Sequence, residues 1–157
     1  MKAYCRRLAL GVGVAAVLLG CYVSRLAAQD VSLAPTYGSL ELTSGFDKDP
    51  RVIQVTAGGP IKTNKAGVFA YVAKAPDFKL YYTAGKLPLT IHVESDADTT
   101  LLINLPDGTW VANDDQAPGN VNPLLRFANP QSGRYDIYVG TFASNPARAK
   151  LYITELK

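Results

Sequence analysis

The chain has 157 residues, of which 48% are apolar and 18% are charged, and its formal net charge is +3. This composition excludes a disordered tail and can support a packed core. Four of the 16 basic residues, Lys2, Arg6, Arg7 and Arg25, lie within the first 28 residues, where Asp and Glu are absent. The 12 basic and 13 acidic residues that remain give residues 29–157 a net charge of −1. A basic surface for nucleic acid is therefore excluded for the body of the chain.

The first 28 residues have the pattern of an export signal. A positive segment up to Arg7 precedes an apolar run from Leu8 to Val23 that is rich in Gly, Ala, Val and Leu. The run is shorter than the roughly 20 residues that a membrane-spanning helix needs, so we expect no membrane span in the mature form. The sequence predicts a signal helix at 1–28 and a single domain at 29–157, exported to the periplasm or outside the cell.

Two processing sites compete in this signal. Ala28 is a small residue that precedes the polar sequence starting at Gln29, as a cleavage site for soluble export would. The segment 18–21, Leu-Leu-Gly-Cys, resembles a bacterial lipobox, in which Cys21 would become the lipidated N-terminus of an envelope lipoprotein. We favour soluble export because signal-like composition continues past Cys21 to Arg25. Since both cysteines lie in the signal, this processing leaves none for a disulfide, a zinc ribbon or a thiol nucleophile.

From Leu40 onward, apolar and polar residues alternate in short runs bounded by Gly, Pro, Asn and Asp, which indicates β-strands. No apolar stripe with helical spacing competes with this pattern. A Pro-Asp-Gly turn at 106–108 should join 101–105 to 110–112 as a hairpin. The pattern predicts an all-β fold, an antiparallel, jelly-roll-like β-sandwich of about nine strands. The predicted strands are 40–42, 52–55, 68–72, 80–83, 89–94, 100–105, 124–127, 134–139 and 150–154.

An acidic interval lies between Lys86 and Arg126, where no Lys or Arg occurs. Two carboxylates lie on one side of an extended segment after one strand, and two more follow the next hairpin. Strand ends can lie close together in a sandwich, and oxygen ligands in this number suit Ca²⁺. The alternative is that these side chains cap turns by accepting hydrogen bonds from backbone amides. The residues of the predicted calcium site are Asp96, Asp98, Asp114 and Asp115.

Catalytic motifs are absent from the sequence. It contains no G-x-S-x-G, P-loop or H-E-x-x-H pattern. His92 is the only histidine and occupies a polar position of an alternating strand, where an exposed sheet residue is the simpler interpretation. We therefore expect no enzyme; an exported hydrolase is the alternative, and it requires His92 to meet a serine and a carboxylate in a pocket. Most strand tyrosines are expected to be core residues or cross-strand partners; the candidates for exposed rings that would bind carbohydrate or peptide are Tyr82 and Tyr138.

The stretch from Ala75 to Leu156 resembles the bacterial pre-peptidase C-terminal domain family. The shared motifs, in chain order, are Ala-Pro-Asp-Phe (75–78), Tyr-Thr-Ala-Gly (82–85), Ser-Asp-Ala-Asp-Thr-Thr-Leu (95–101), Pro-Asp-Gly (106–108), Asn-Asp-Asp (113–115) and Ser-Gly-Arg-Tyr (132–135). The chain is also similar to stand-alone exported bacterial proteins that are sometimes labelled serine peptidases.

The resemblance implies a secreted, non-catalytic, jelly-roll-like β-sandwich of a kind normally attached to proteases and related exoenzymes. Some members of that family bind Ca²⁺, and related collagenase modules bind extracellular matrix. Carried over to this chain, Asp96, Asp98, Asp114 and Asp115 match the acidic positions near such a site. The expected function is an exported binding or structural module with a protein, peptide or polysaccharide as its ligand, and the resemblance implies that Ca²⁺ would stabilise it as in some of those relatives.

Overall fold

The computed structural model describes residues 28–156. The predicted signal helix and Cys21 lie outside the described residues, and Ala28 is the first residue within them. The described chain forms eleven β-strands and one short 3₁₀ helix at Lys65–Gly67. The strands are β1 (Ser39–Thr43), β2 (Arg51–Ala57), β3 (Ile61–Thr63), β4 (Ala70–Val72), β5 (Phe78–Thr83), β6 (Leu89–Glu94), β7 (Thr99–Asn104), β8 (Trp110–Asn113), β9 (Leu124–Phe127), β10 (Gly133–Thr141) and β11 (Ala147–Thr154).

The strands form two sheets. One has four strands in the order β2-β11-β6-β9. The other has seven strands, in which β10 pairs with β5 and then β4 on one side and with β7 on the other, and β1, β3 and β8 complete the sheet. The predicted all-β sandwich is thus confirmed, with eleven strands instead of about nine. The pairing of β1 with β5 is parallel, whereas every other strand pairing among the described residues is antiparallel.

The hydrophobic core lies between the two sheets because alternate residues of each strand point inward. The four-stranded sheet contributes Leu89, Ile91 and Val93 of β6 and Leu151 and Ile153 of β11, all of which are buried. From the seven-stranded sheet the same core receives Phe78, Leu80, Tyr82, Leu101, Ile103, Tyr135, Ile137 and Val139. Tyr135, Ile137 and Val139 thus share the core-facing side of β10.

The outer face of the seven-stranded sheet carries a second apolar cluster, in which Leu102 and Tyr138 are fully buried. The N-terminal segment, residues 28–38, runs along this side of the sandwich, and Val31 packs against the cluster. The amide of Asp30 donates to the carbonyl of Lys74 at 2.8 Å, and that of Tyr37 donates to the carbonyl of Asp77 at 2.8 Å. This cover explains why β7 is buried on both faces.

The two tyrosines expected at the surface are buried. Tyr138 is 0% exposed because it lies in the second cluster, and Tyr82 is 2% exposed because it points into the core. Strand alternation assigns these residues to a face but does not tell whether another segment covers that face. The prediction that they form a binding platform was wrong.

Candidate functional site

The outer face of the four-stranded sheet carries a row of side chains that crosses all four strands. The strand register places Val52 of β2 opposite Tyr152 of β11, Tyr152 opposite His92 of β6, and His92 opposite Leu124 of β9. The rings of His92 and Tyr152 stack at a centroid distance of 4.6 Å and an interplanar angle of 6°. Val52 is 45% exposed. An outer sheet face is usually polar, so this row is a local exception.

The row forms part of a groove of about 640 Å³, which we call the sheet groove. Thr90 and Thr154 form a neighbouring row and are buried, although they lie on the outer side of the sheet. Pro50 and the exposed Leu156 line the groove near β2 and β11, and Arg126 lines it from β9. The groove thus combines an apolar surface with a few polar side chains, as ligand sites do.

The loop between β8 and β9 forms one wall of the sheet groove through Gln116, Asn120 and Asn122. Asn122 fixes this wall to the sandwich: its amide nitrogen donates to the carbonyl of Ser95 at 2.8 Å, and its oxygen accepts from Thr99 Oγ1 at 2.7 Å. The side-chain oxygen of Gln116 accepts a hydrogen bond from the side-chain amide of Asn120 at 3.2 Å. These bonds hold the wall without a ligand, so the groove is preformed.

His92 is the titratable group at the centre of this site. Burial lowers its pKa, and the nearby Glu94 carboxylate opposes that shift in part. The imidazole is therefore predominantly neutral at pH 7. A hydrogen bond with Glu94 is the main cause of a raised pKa at Tyr152, so the phenol stays protonated. No serine or cysteine is among the described residues that line the groove around His92.

A second depression of about 420 Å³ continues from the sheet groove along the strands, and the two share Glu94 and Asn122. We call the two together the extended groove. Its second half contains Asp96, Arg148 and Lys150, and the register sets Lys150 opposite Glu94. Cationic and anionic side chains therefore lie next to each other along this part of the surface.

The structure divides the four residues of the predicted calcium site. Asp98 lies near two of the others. Burial raises its pKa, and the charges of Asp115 and Asp114 raise it further. Asp96 instead lines the extended groove beside Arg148. Across residues 28–156, no group of three or more His, Cys, Asp or Glu side chains is arranged to hold a metal ion. Calcium binding stays a prediction.

The alternative role of these carboxylates, capping turns, is visible in the same loops. Asp114 Oδ1 accepts a hydrogen bond from the amide of Asp115 at 3.1 Å. In the preceding turn, Asp107 Oδ1 accepts from the amide of Thr109 at 2.9 Å. Such local bonds are a common role of Asp in loops.

The central residues of the sheet groove were not selected from the sequence as binding residues. His92 and Tyr152 occupy polar positions of alternating strands, and this signal places each on an outer face. The two are 60 positions apart in the chain, and their stacking depends on the pairing of β6 with β11. The alternation pattern alone does not specify that pairing.

Comparisons with known proteins leave the chain without an assigned family, since neither a protein-family model nor a curated protein matches it. Among solved structures, the chain is similar to Aeromonas hydrophila PliG, a periplasmic lysozyme inhibitor of g-type lysozyme. The sequence identity is 15%, the TM-score is 0.38, and the match covers 74% of this chain and 96% of that one. No conclusion about ligand or activity follows at this level of similarity. Within the described residues, no helix has the length and apolarity to cross a membrane.

Proposed function

We propose that this protein is an exported, non-catalytic binding module that holds its ligand in the sheet groove. The observation that carries the proposal is the row of Val52, Tyr152, His92 and Leu124 on the outer face of the four-stranded sheet, of which the last three line the groove. The residues around it are held in place by the bonds of Asn122. A preformed groove with an aromatic centre and a polar rim suits binding.

Export and family membership belong to the proposal and rest on the sequence. The N-terminal pattern supports export. The motifs that resemble the pre-peptidase C-terminal domain family fall at positions that suit them: the Pro-Asp-Gly turn joins β7 to β8, with Gly108 at a φ of +84°, and Ser132–Tyr135 leads into β10. These placements support the family proposal, which includes the possibility of calcium binding.

The surroundings of His92 favour binding over hydrolysis. A hydrolase of the serine type needs a nucleophile within hydrogen-bond reach of the histidine. The imidazole stacks on Tyr152 instead, and no serine or cysteine is among the described residues that line the groove around it.

The proposal can be tested with the proton NMR signal of the only histidine. Envelope material of the source cells is separated into protein, carbohydrate and lipid fractions, and each fraction is titrated into the protein without a histidine tag. We expect one fraction to shift the His92 imidazole signal saturably. Tyr152→Ala should abolish that shift in the remaining signal, because it removes the ring that stacks on His92.

The control is Tyr81→Ala, since Tyr81 is also exposed, at 42%, and lies on the other sheet. It should leave the shift unchanged. Both variants must keep the wild-type melting temperature to within a few degrees. If no fraction shifts His92, or if Tyr152→Ala binds as wild type does, the proposed site is wrong.

A further inference from the structure

We infer that the extended groove binds an uncharged, hydroxyl-rich chain, a neutral glycan; this inference rests on the proposed function. The first support is the length of the site. Along β6 the lining runs from Thr90 to Glu94, about 13 Å at the usual rise per strand residue, and it continues past the end of the strand to Asp96. A site of this length suits a chain of several units better than a single small molecule.

The distribution of charge is the second support. Arg126 lies in one half of the extended groove, and Lys150 and Arg148 lie beside Glu94 and Asp96 in the other half. The two cations and two anions of the second half balance each other, and Arg126 is separated from them by the uncharged row at His92. A ligand with strong net charge would meet repulsion at one residue for each attraction at the next. Hydroxyl groups both donate and accept hydrogen bonds, so a sugar can satisfy carboxylates and cations in turn.

The aromatic pair supplies the third support. Sugar rings have faces of C–H groups, which are apolar and pack on aromatic rings and aliphatic side chains. Tyr152 and His92 stand side by side on the sheet, with Val52 and Leu124 flanking them. One face of each ring is covered by the other ring, so the apolar contact for a sugar comes from the remaining ring surface and from the two aliphatic side chains. Glu94 and Arg126 lie on either side of the row, and they can bond hydroxyls at the ring edges.

A peptide is the competing ligand, and the position of the groove disfavours it. Extended peptides commonly gain affinity by adding a strand to a sheet edge, where backbone groups are free. The floor of the extended groove is formed by β6 and β11, and each of these strands is paired on both sides. A peptide main chain would therefore find no ladder to extend on this face.

The test uses defined ligands and the same His92 signal. Cellohexaose, chitohexaose, maltohexaose and mannohexaose are titrated separately, and a mixture of uncharged and charged hexapeptides forms the second arm. We expect at least one hexasaccharide to shift His92 saturably and its trisaccharide to bind more weakly by at least about tenfold, because half of the groove stays empty. Calorimetry should show at least about tenfold weaker hexasaccharide binding to Tyr152→Ala and to Glu94→Gln, and no change for Tyr81→Ala.

The outcomes separate the inference from the function on which it rests. If the hexapeptides shift His92 and no hexasaccharide does, the glycan inference is overturned and the binding function stands. If hexasaccharide binding is insensitive to Tyr152→Ala and Glu94→Gln, the sugar lies elsewhere and the inference is likewise wrong. If all hexasaccharides fail while only the protein or the lipid fraction of the envelope shifts His92, the glycan inference is overturned and the binding function stands. Failure of every ligand and every fraction overturns both.

Discussion

Tyr81 and Tyr82 are neighbours in β5 with opposite environments. Tyr81 is 42% exposed, whereas Tyr82 is 2% exposed and its hydroxyl donates a hydrogen bond to Glu155 Oε1. Burial, reinforced by this bond, raises the pKa of Tyr82 to about 12. Glu155 Oε2 accepts a second bond from the amide of Gly45 at 2.7 Å. Through this carboxylate, β5 and the β1–β2 loop are joined to the chain just after β11.

Replacing Tyr82 tests that connection. In Tyr82→Phe the buried Glu155 loses one donor while the ring stays in the core, so we expect the free energy of unfolding to fall by about 1–3 kcal/mol. Urea denaturation measures the change. The matched variant Tyr81→Phe should stay within about 0.5 kcal/mol of wild type, because its hydroxyl is at the surface. Equal effects at the two positions would contradict the role given to Glu155.

Asp77 is a buried carboxyl at the start of β5. It is 2% exposed, and its Oδ2 accepts a hydrogen bond from the amide of Val139 at 2.7 Å. Burial raises its pKa to about 7, in spite of that bond. Between pH 4 and 7, roughly, the folded protein therefore holds a proton that the unfolded chain releases.

This proton predicts how stability depends on pH. The stabilisation is fully present below the unfolded pKa of Asp77 and is lost as the pH rises through about 7. At about 1.4 kcal/mol per pKa unit, the free energy of unfolding should be lower at pH 8 than at pH 4 by a few kcal/mol from this group. Asp77→Asn keeps an acceptor for Val139 and should remove most of that difference. The free energy of unfolding is measured by urea denaturation at both pH values. If Asp77→Asn keeps the wild-type difference between pH 4 and pH 8, the assignment of that difference to Asp77 is wrong.

At the scale of strands, the sequence predicted more of the fold than of the site. The runs at 89–94 and 134–139 coincide with β6 and lie within β10 because their alternation is regular, and the short run at 124–127 coincides with β9. The three-residue β3 was missed because so short a run has no measurable period. The parallel pairing of β1 with β5 is a long-range contact, and local pattern does not encode its direction.

The same limit applies to the candidate site. Alternation correctly gave the outer face for His92, but the groove exists because the loop from β8 to β9 returns beside it and Asn122 is bonded to Ser95. Conversely, Asp96 and Asp98 share one side of an extended segment in the sequence, yet the segment between β6 and β7 turns. Asp96 consequently lies in the extended groove and Asp98 lies near Asp114 and Asp115.

The loops around Asp98 allow a test of the predicted calcium. In EDTA at pH 7, Asp98→Asn should raise the melting temperature slightly, because it removes a carboxylate whose pKa is raised by burial and then by repulsion from Asp115 and Asp114. The effect should vanish at acidic pH, where the carboxyl is protonated in both folded and unfolded chains. Glu41→Gln, at an exposed position of β1, is the control and should change little.

Added Ca²⁺ then decides between the two roles of these carboxylates. If the ion binds only the folded protein, a 100-fold excess over Kd stabilises wild type by about 2.7 kcal/mol, and Asp98→Asn should lose that gain. If these carboxylates only cap turns, the melting temperature of wild type will be the same in Ca²⁺ and in EDTA. That second result would rule out the calcium prediction.

For the molecule as a whole, processing determines the charge that the mature protein carries. Cleavage after Ala28 removes four basic residues and leaves a net charge of −1. We expect the intact mass of protein isolated from the source cells to match a chain that starts at Gln29. A mass that corresponds to Cys21 with attached lipid would support the envelope lipoprotein instead.

The N-terminal segment lies against the seven-stranded sheet, whereas the sheet groove opens on the four-stranded sheet, on the other side of the sandwich. A tether attached ahead of residue 29, whether a lipid, a fused enzyme or a chemical linker, therefore leaves the sandwich on the side opposite the sheet groove. A surface that carries the protein in this way would display the groove outward. Immobilisation through the N-terminus should accordingly preserve access for large ligands, and attachment through Leu156, which borders the groove, should obstruct it.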